Sequence, residues 1–389
     1  MATNWSGDIA IVGVYEHPDR KLPGMHPFEL QARCIMGALD DAGLALSDVD
    51  GFATAAGEES EGGGVTDAVE MAEYLGITPT WTDATDLGGA GPLSQVGHAA
   101  AAIAAGHAEV VVVSYAATPR TSAASIGTGD TNTPLSGPSQ FELPYGVTTV
   151  GNYALAAQRH MAEFGTTPEQ LAEIAVTCRA HAAENPHARY RAPLTVDEVV
   201  TSTMISSPLR KYDCCCVTDG GGAVVVTSAA RARDCAREPA YILGFGEAAS
   251  QIQMHQMPSF TQTMGAISGP RALGQAGITL DDVDVAQLYD SFTITTLLIL
   301  EDLGFCAKGE GGAFVQDGRI TIGGQIPINT DGGGLSSNQP GRRGIFAMIE
   351  SVRQLRQEGP GVQVPDARIA LAHGSGGYLS TASTLIFGR

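Results

Sequence analysis

Tyr289, Asp290 and Ser291 stand together in the hexapeptide LYDSFT (288–293), between an apolar lead-in, VDVAQ, and a long apolar run, ITTLLILEDLGF. A strand that ends there and turns straight into a helix sets a phenol and a carboxylate at one corner, where they can hold or move a proton. Each also has a plainer use. A buried tyrosine needs a partner for its hydroxyl, and Asp290 is placed to cap the helix that follows. His373 is a further candidate. It follows RIALA and precedes Gly-Ser-Gly-Gly, so it reads either as a satisfied core residue or as a general acid or base. Three Gly-rich turns complete the set: TDLGGAGPLSQ (85–95), NTDGGGLSSNQPGRRG (329–344) and AHGSGGYLS (372–380). Glycine lets backbone N–H groups approach a ligand, and a helix N-terminus favours negative charge. Tight packing is the competing reading of each turn alone. Their recurrence in duplicated positions, with LYDSF at a strand end, favours one shared site.

Other chemistries find less support. In DCCCVTDGGG (213–222), Cys214 and Cys216 are expected on one face of an extended segment with Cys215 pointing away. No second Cys or His pair follows at zinc spacing, so the run reads as small buried hydrophobes. The nine histidines form no H-x-H or H-E-x-x-H pattern. Lys21, Lys211 and Lys308 lie outside the apolar strands, where burial would suit an amine to Schiff-base chemistry. Metal-dependent and lysine-dependent carbon–carbon chemistry are both disfavoured.

The elements that must position these groups come in two sets. ALDDAGLALSDVD (38–50) and ALGQAGITLDDVD (272–284) match at eight of thirteen positions without a gap. Each closes a helical segment and leads into a strand-like one, GFATAA and VAQLYDSF. Their separation is too long for a solenoid period, so two duplicated halves are expected. Apolar runs alternating with helical patterns predict parallel βαβ units in each half. GPLSQVGHAAAAIAAGHAEVVVVSYA reads as a helix apolar on every face followed by a buried strand, and such a helix must be covered on all sides. GRRGIFAMIESVRQLRQ and ARIALAHGSGG are its counterpart. The expected fold class is α/β, two sheets with helices between and outside them in an α-β-α-β-α stack. Residues 117–215 carry a long stretch poor in periodic apolar residues, then helices at 147–164 and 167–184. They read as a loop domain over the site. The expected domains are a first half at 1–116, completed by 216–236 after the loop domain at 117–215, and a second half at 237–389.

The net charge of −20 argues against nucleic acid and anionic membrane surfaces as partners. No apolar run is long enough to span a bilayer, and the N-terminus lacks the pattern of a signal peptide. Seven irregularly spaced cysteines read as reduced thiols in a cytoplasm.

Together PLRKYDCCCVTDGGGAVVV, LYDSFT, LEDLGFCAKGEGGAFV, INTDGGGLSSNQPG and the terminal HGSGG resemble the thiolase superfamily over nearly the whole chain. The branch resembled is that of the sterol-carrier-protein or lipid-transfer-protein type. The resemblance implies a five-layered thiolase fold, a homodimer, coenzyme A as part of the substrate, and no cofactor bound by the chain. It also marks four departures. The nucleophilic cysteine of thiolases falls in Gly88-Gly89-Ala90-Gly91, and their Asn or His before E/D-x-F falls at Tyr289. Their activating histidine falls at Gln339 and their second cysteine at His373. An enolate-stabilising pocket without a nucleophile implies retro-aldol cleavage of a β-hydroxyacyl-CoA, which proceeds without an acyl-enzyme.

The branch includes aldolases that shorten steroid side chains together with an OB-like DUF35 partner, and these too have a tyrosine at the position of Tyr289. A second tyrosine of theirs falls at Gln339. The roles implied are Tyr289 for the hydroxyl proton, through a lowered pKa or a network, and His373 for the enolate. Amides at Gly88–Gly91 and Gly376–Gly377 would form an oxyanion hole, and Gln339 would orient the thioester or a water. Acyl transfer needs a cysteine at the site, and Cys306 is the expected one. A non-catalytic acyl-CoA or lipid-binding scaffold is the third reading. Arg342 and Arg343 read first as a solvated helix start, with CoA phosphates or an acidic partner as the other readings.

Overall fold

Both copies of the repeated stretch close a helix with a glycine in the left-handed region, Gly43 at φ 71° and Gly277 at φ 70°. Both continue through one 3-10 turn into a strand. A residue with a Cβ is strained there, so the shared glycine ends both helices at the same point.

The computed structural model describes residues 4–54, 67–122, 137–251 and 253–389. Part of the long loop expected between the halves, 123–136, and the end of GFATAA lie outside the described residues. The chain runs β1 (Ile9–Glu16), α1 (Pro27–Ala42), β2 (Gly51–Thr54), α2 (Asp67–Leu75), β3 (Trp81–Asp83), α3 (Gly91–Ala104) and β4 (Val110–Ala117). Helices α4 (Thr149–Phe164), α5 (Pro168–Glu184) and α6 (Val196–Thr201) follow, then a hairpin of β5 (Met204–Ser206) and β6 (Leu209–Arg210). Next come β7 (Gly220–Ser228), α7 (Ala229–Ala232), β8 (Ala240–Ala249), α8 (Gly265–Ala276) and β9 (Val285–Leu288). The last elements are α9 (Thr293–Leu303), α10 (Gly311–Phe314), α11 (Gly344–Leu355), β10 (Ile369–Gly376) and β11 (Thr381–Gly388).

The large strands are hydrogen-bonded in the order β3-β2-β4-β7-β1-β8-β11-β10-β9. The first five belong to one half and the last four to the other. They meet only where Ala10 and Ile11 of β1 pair with Tyr241 and Ala240 of β8. Helices α3 and α11 pack on strands of both halves, while α1 covers the outside of the first and α8 that of the second. The result is the five-layered stack. Small residues let the middle layer fit: a methyl on Gly97 of α3 would overlap the Phe245 ring of β8. Leu93, Val96 and Ala100 of α3 and Phe346, Ile349 and Val352 of α11 form one buried cluster with Val111 and Val113 of β4.

The expectation of parallel units holds only for β2–β3, β2–β4 and β9–β10; the other pairings in the large sheet are antiparallel. β7 returns after the intervening helices to fill the gap between β4 and β1, and β11 turns back directly on β10. The valine runs of β4 and β7 are buried on both faces all the same. Apolar composition reported burial and left strand direction open.

Glu16, at the end of β1, ties the halves together. Its Oε1 accepts from Arg20 (2.6 Å) and Asn338 Nδ2 (2.9 Å), and its Oε2 accepts from Arg353 (2.8 Å). Burial pushes the carboxyl pKa up, but Arg20 and Arg353 outweigh it and hold the group down at about 2. A depressed folded pKa gives stability that is complete above the unfolded value and drains away as pH falls toward the folded one. Urea midpoints of the native chain are therefore expected to fall between about pH 4.5 and pH 2. Glu16→Gln should flatten that part of the profile, removing on the order of 3 kcal/mol at neutral pH. An unchanged profile in the variant would contradict the assignment.

Candidate active site

A cavity of about 760 Å³ opens where the three Gly-rich turns meet. Its walls come from Gly88–Gly89, the N-terminal end of α4, the Cys214–Cys215 segment, the corner after β9, the Gln339–Arg342 turn and Ser375–Gly377. The turns expected to share a site do share one.

Tyr289 follows the last residue of β9, and its N–H donates to the His373 carbonyl of β10 (3.0 Å), which pins the corner to the sheet. Its hydroxyl donates to the Gly341 carbonyl (2.8 Å) and accepts from Gln339 Nε2 (3.0 Å). Gln339 Nε2 also reaches Gly341 O (3.1 Å), so the three groups form a closed triangle. Burial pushes the phenol pKa up, and the Gln339 hydrogen bond only partly opposes it. The phenol is neutral at physiological pH. The expected lowering of its pKa is overturned, since burial desolvates the hydroxyl and outweighs the Gln339 hydrogen bond. The hydroxyl is part of a hydrogen-bond network with Gln339 and Gly341.

Asp290 points away from the cavity and does not cap α9, whose N-cap is Phe292 without a side-chain hydrogen bond. Its carboxylate accepts from the N–H groups of Gly334 (2.7 Å) and Leu335 (3.1 Å) and from Arg343 Nε (3.0 Å). Arg343 also donates to Asp331 (2.8 and 3.0 Å) and to the Asn338 carbonyl (3.0 Å). The arginine expected at a solvated helix start is fully buried. It is the hub on which the 329–344 turn is folded.

The glycines divide. Gly88, Gly89, Gly376 and Gly377 line the cavity, and Gly91 does not. Gly91 opens α3, and its N–H is spent on the Gly88 carbonyl. The Gly88 N–H is held by Asp86 Oδ1 (2.9 Å). Gly89 leaves no room for a side chain: a methyl there would overlap the Tyr289 ring and the Ser375 carbonyl. The N-terminus of α11 abuts the same turn, since a methyl on Gly344 would overlap the Gly89 carbonyl. Two buried helices thus present their positive ends to one corner of the cavity.

His373 is not brought to the cavity. Successive strand residues alternate faces. Gly374 faces α3, where a methyl would lie 2.8 Å from Ala90 Cα, and the His373 ring lies against Gly265 at the start of α8. Its Nδ1 shares a hydrogen bond with Thr384 Oγ1 (2.8 Å), which also meets Ser268 of α8 (2.9 Å). Burial pushes its pKa down to about 3. The ring is neutral and in the outer layer, so direct contact with an enolate is overturned.

Other residues at the cavity were not singled out by motif. Tyr153 of α4 donates its hydroxyl to the Gly377 carbonyl (3.2 Å), and its ring packs on Phe292 with centroids 4.5 Å apart. Helical spacing gives such a tyrosine the look of ordinary core. Cys214 and Cys215 both line the cavity, contrary to the expectation that Cys215 points away and that Cys306 is the thiol near the site. Cys214 forms an isolated antiparallel bridge with Phe292, which brings the segment against the corner after β9. Burial pushes the Cys214 thiol up to about 12 and that of Cys215 well above its usual range. No histidine lines the cavity among the described residues.

Comparison with known proteins gives a consistent answer. Residues 246–389 match the family model described as thiolase C-terminal domain-like. The 17-hydroxy-3-oxo-4-pregnene-20-carboxyl-CoA lyase of Mycobacterium tuberculosis is 37% identical over 90% of this chain and 92% of its own. An acetyl-CoA acetyltransferase of Methanothermobacter thermautotrophicus is 32% identical over 98% of this chain and all of its own. Among solved structures, an Ltp2-ChsH2(DUF35) aldolase superposes with a TM-score of 0.89 at 33% identity, covering 100% of this chain and 99% of that one.

Proposed function

The chain belongs to the thiolase superfamily, and from the contents of its cavity we propose that it is a carbon–carbon lyase that splits a β-hydroxyacyl-CoA by a retro-aldol reaction. The observation that carries this reading is a neutral, hydrogen-bonded tyrosine at the point where thiolases resembled by this chain hold polar catalytic side chains, in a cavity whose two thiols are kept protonated. An acyl-enzyme needs a thiolate and a base to make it. A retro-aldol cleavage needs no thiolate, only a group that takes the β-hydroxyl proton.

In the cleavage, the β-hydroxyl loses its proton, the Cα–Cβ bond breaks, and its electron pair passes onto Cα and the thioester oxygen. In balance, one proton leaves the hydroxyl oxygen and one is gained at Cα. One neutral phenol can carry out this exchange, its oxygen accepting the substrate proton as its own proton is delivered to Cα. A raised pKa is no obstacle to such a relay, because no free phenolate forms. The Gln339 Nε2 hydrogen bond holds the phenol oxygen during the exchange, as the hydroxyl turns its proton from the Gly341 carbonyl to the substrate. The N–H groups of Gly89, just before α3, and of Gly377, just after β10, are the donors for the enolate oxygen. Products are a ketone or aldehyde and a shortened acyl-CoA.

The loop segment, through Val150, Tyr153 and Ile205, supplies an apolar wall for the acyl group. A branched or steroid side chain fits the kinship with the pregnene-carboxyl-CoA lyase. A DUF35-type partner is proposed from the likeness to a solved complex of that kind. A homodimer and a cytoplasmic setting complete the reading, the latter in keeping with seven free cysteines.

Acyl transfer is the second reading, favoured by Cys214 and Cys215 at the cavity and by the acetyltransferase relative. Mass spectrometry of products separates the two, with and without a DUF35 protein. A branched β-hydroxyacyl-CoA alone should yield a carbonyl compound and a shorter acyl-CoA. Cleavage only of a β-ketoacyl-CoA supplied with free CoA would replace the lyase reading with the transferase one.

A further inference from the structure

Arg342 and Arg343 occupy the start of α11, where the helix dipole disfavours a cation. Arg343 is compensated by Asp290 and Asp331 within its own half. Arg342 is compensated from the other half. Its Nη2 donates to Asp86 Oδ2 (2.6 Å) and its Nε to Asp86 Oδ1 (3.1 Å). The same Oδ1 accepts the N–H of Gly88 (2.9 Å). One carboxylate therefore holds both the turn that carries the Gly89 amide and the turn whose Gly341 carbonyl receives the Tyr289 hydroxyl.

Further contacts fix the second turn. The Arg342 guanidinium lies 5.8 Å from the Tyr115 ring centroid, and the Tyr115 hydroxyl donates to the Pro340 carbonyl (3.0 Å). A methyl on Gly341 would overlap that hydroxyl, so glycine at this position lets the turn pack closely on Tyr115. Arg342 itself lines the cavity.

We propose that Asp86 and Arg342 are positioning residues for the reaction, an ion pair across the two halves that sets the spacing between the enolate-binding amides and the Tyr289 hydroxyl. The inference rests on the lyase reading for its kinetic consequence and on hydrogen-bond geometry alone for its structural one. The spacing matters because the relay and the oxyanion donors act on atoms of one small substrate segment, where a misplacement of about 1 Å can cost on the order of 100-fold in rate.

The test uses Asp86→Asn, Arg342→Gln and the double variant in the full chain, with its DUF35 partner if turnover requires one. Asp86→Asn keeps an acceptor for Gly88 and loses the charge that holds Arg342. Each single variant should lower kcat by about tenfold or more, with KM changed by less than about threefold and the thermal midpoint preserved. The double variant should be no worse than the poorer single one, because each partner removes the same contact. A loss confined to KM would make Arg342 a substrate contact and overturn the proposal, as would additive losses or an unchanged kcat. A second measurement does not depend on turnover. The ¹⁹F resonance of 3-fluorotyrosine placed at position 289 reads the Gly341 contact directly, and it should move in both single variants. If the native chain cleaves no β-hydroxyacyl-CoA yet the resonance moves, the lyase reading fails and the positioning geometry stands. A resonance that stays put overturns the positioning role whatever the activity.

Discussion

Replacing Tyr289 with phenylalanine should lower turnover of a β-hydroxyacyl-CoA by about 100- to 10,000-fold, the usual range for losing a general acid–base group. Affinity for the acyl-CoA should be nearly unchanged. The ring of Tyr289 packs beside Gly89, and phenylalanine keeps that surface. What is lost is the hydroxyl that meets Gly341 O at 2.8 Å and Gln339 Nε2 at 3.0 Å. A side chain acting only in the transition state lowers kcat and kcat/KM together. Comparing single-turnover rates with acyl-CoA binding by calorimetry distinguishes this from a packing defect. Full activity in the variant would remove the relay from the mechanism. Loss of binding alongside turnover would make Tyr289 a wall of the cavity.

Replacing Arg343 with methionine should destabilise the chain by about 3–5 kcal/mol, the cost of leaving buried carboxylates without their cation. Asp290 and Asp331 are both buried and both depend on this guanidinium. The Asn338 carbonyl loses a donor at the same time. Arg343→Lys should recover little, because an ammonium cannot make the forked contacts to Asp290, Asp331 and Asn338 at once. Urea unfolding followed by circular dichroism measures the loss. A shift below about 1 kcal/mol would mean that the turn does not rely on this charge. Since Gln339 and Gly341 lie in the same turn, the variant should also lose turnover under conditions where it stays folded.

The sequence made the frame and the meeting point of the site legible, because each rests on a local signal. An ungapped match at eight of thirteen positions, 38–50 against 272–284, exposed the duplication, and three Gly-rich turns marked the corners of the cavity. What escaped was anything decided by facing. His373 and Gly374 are neighbours, and pleating alone sends one to the outer layer and the other to the inner. Asp290 sits in the same polar corner as Tyr289, yet its partners Gly334, Leu335 and Arg343 lie more than forty residues on. Arg343 looked solvated because its neighbours are Gly and Arg, a pattern that says nothing of a buried acidic pair folded over it. Tyr153 carried no motif at all. Strand direction was open for a similar reason, since a valine run records burial on both faces whichever way the chain travels.

The place of β7 bears on how the chain is made. On the ribosome, β1 and β4 emerge early, and both lack the neighbour that joins them until Gly220–Ser228 has been synthesised. Until then the first half holds two apolar strands with open edges while the intervening helices are still being added. Such edges pair readily with other chains, and contacts this distant in sequence close slowly. Nascent chains arrested before β7 should therefore be the form that engages chaperones, and those arrested beyond it should be released.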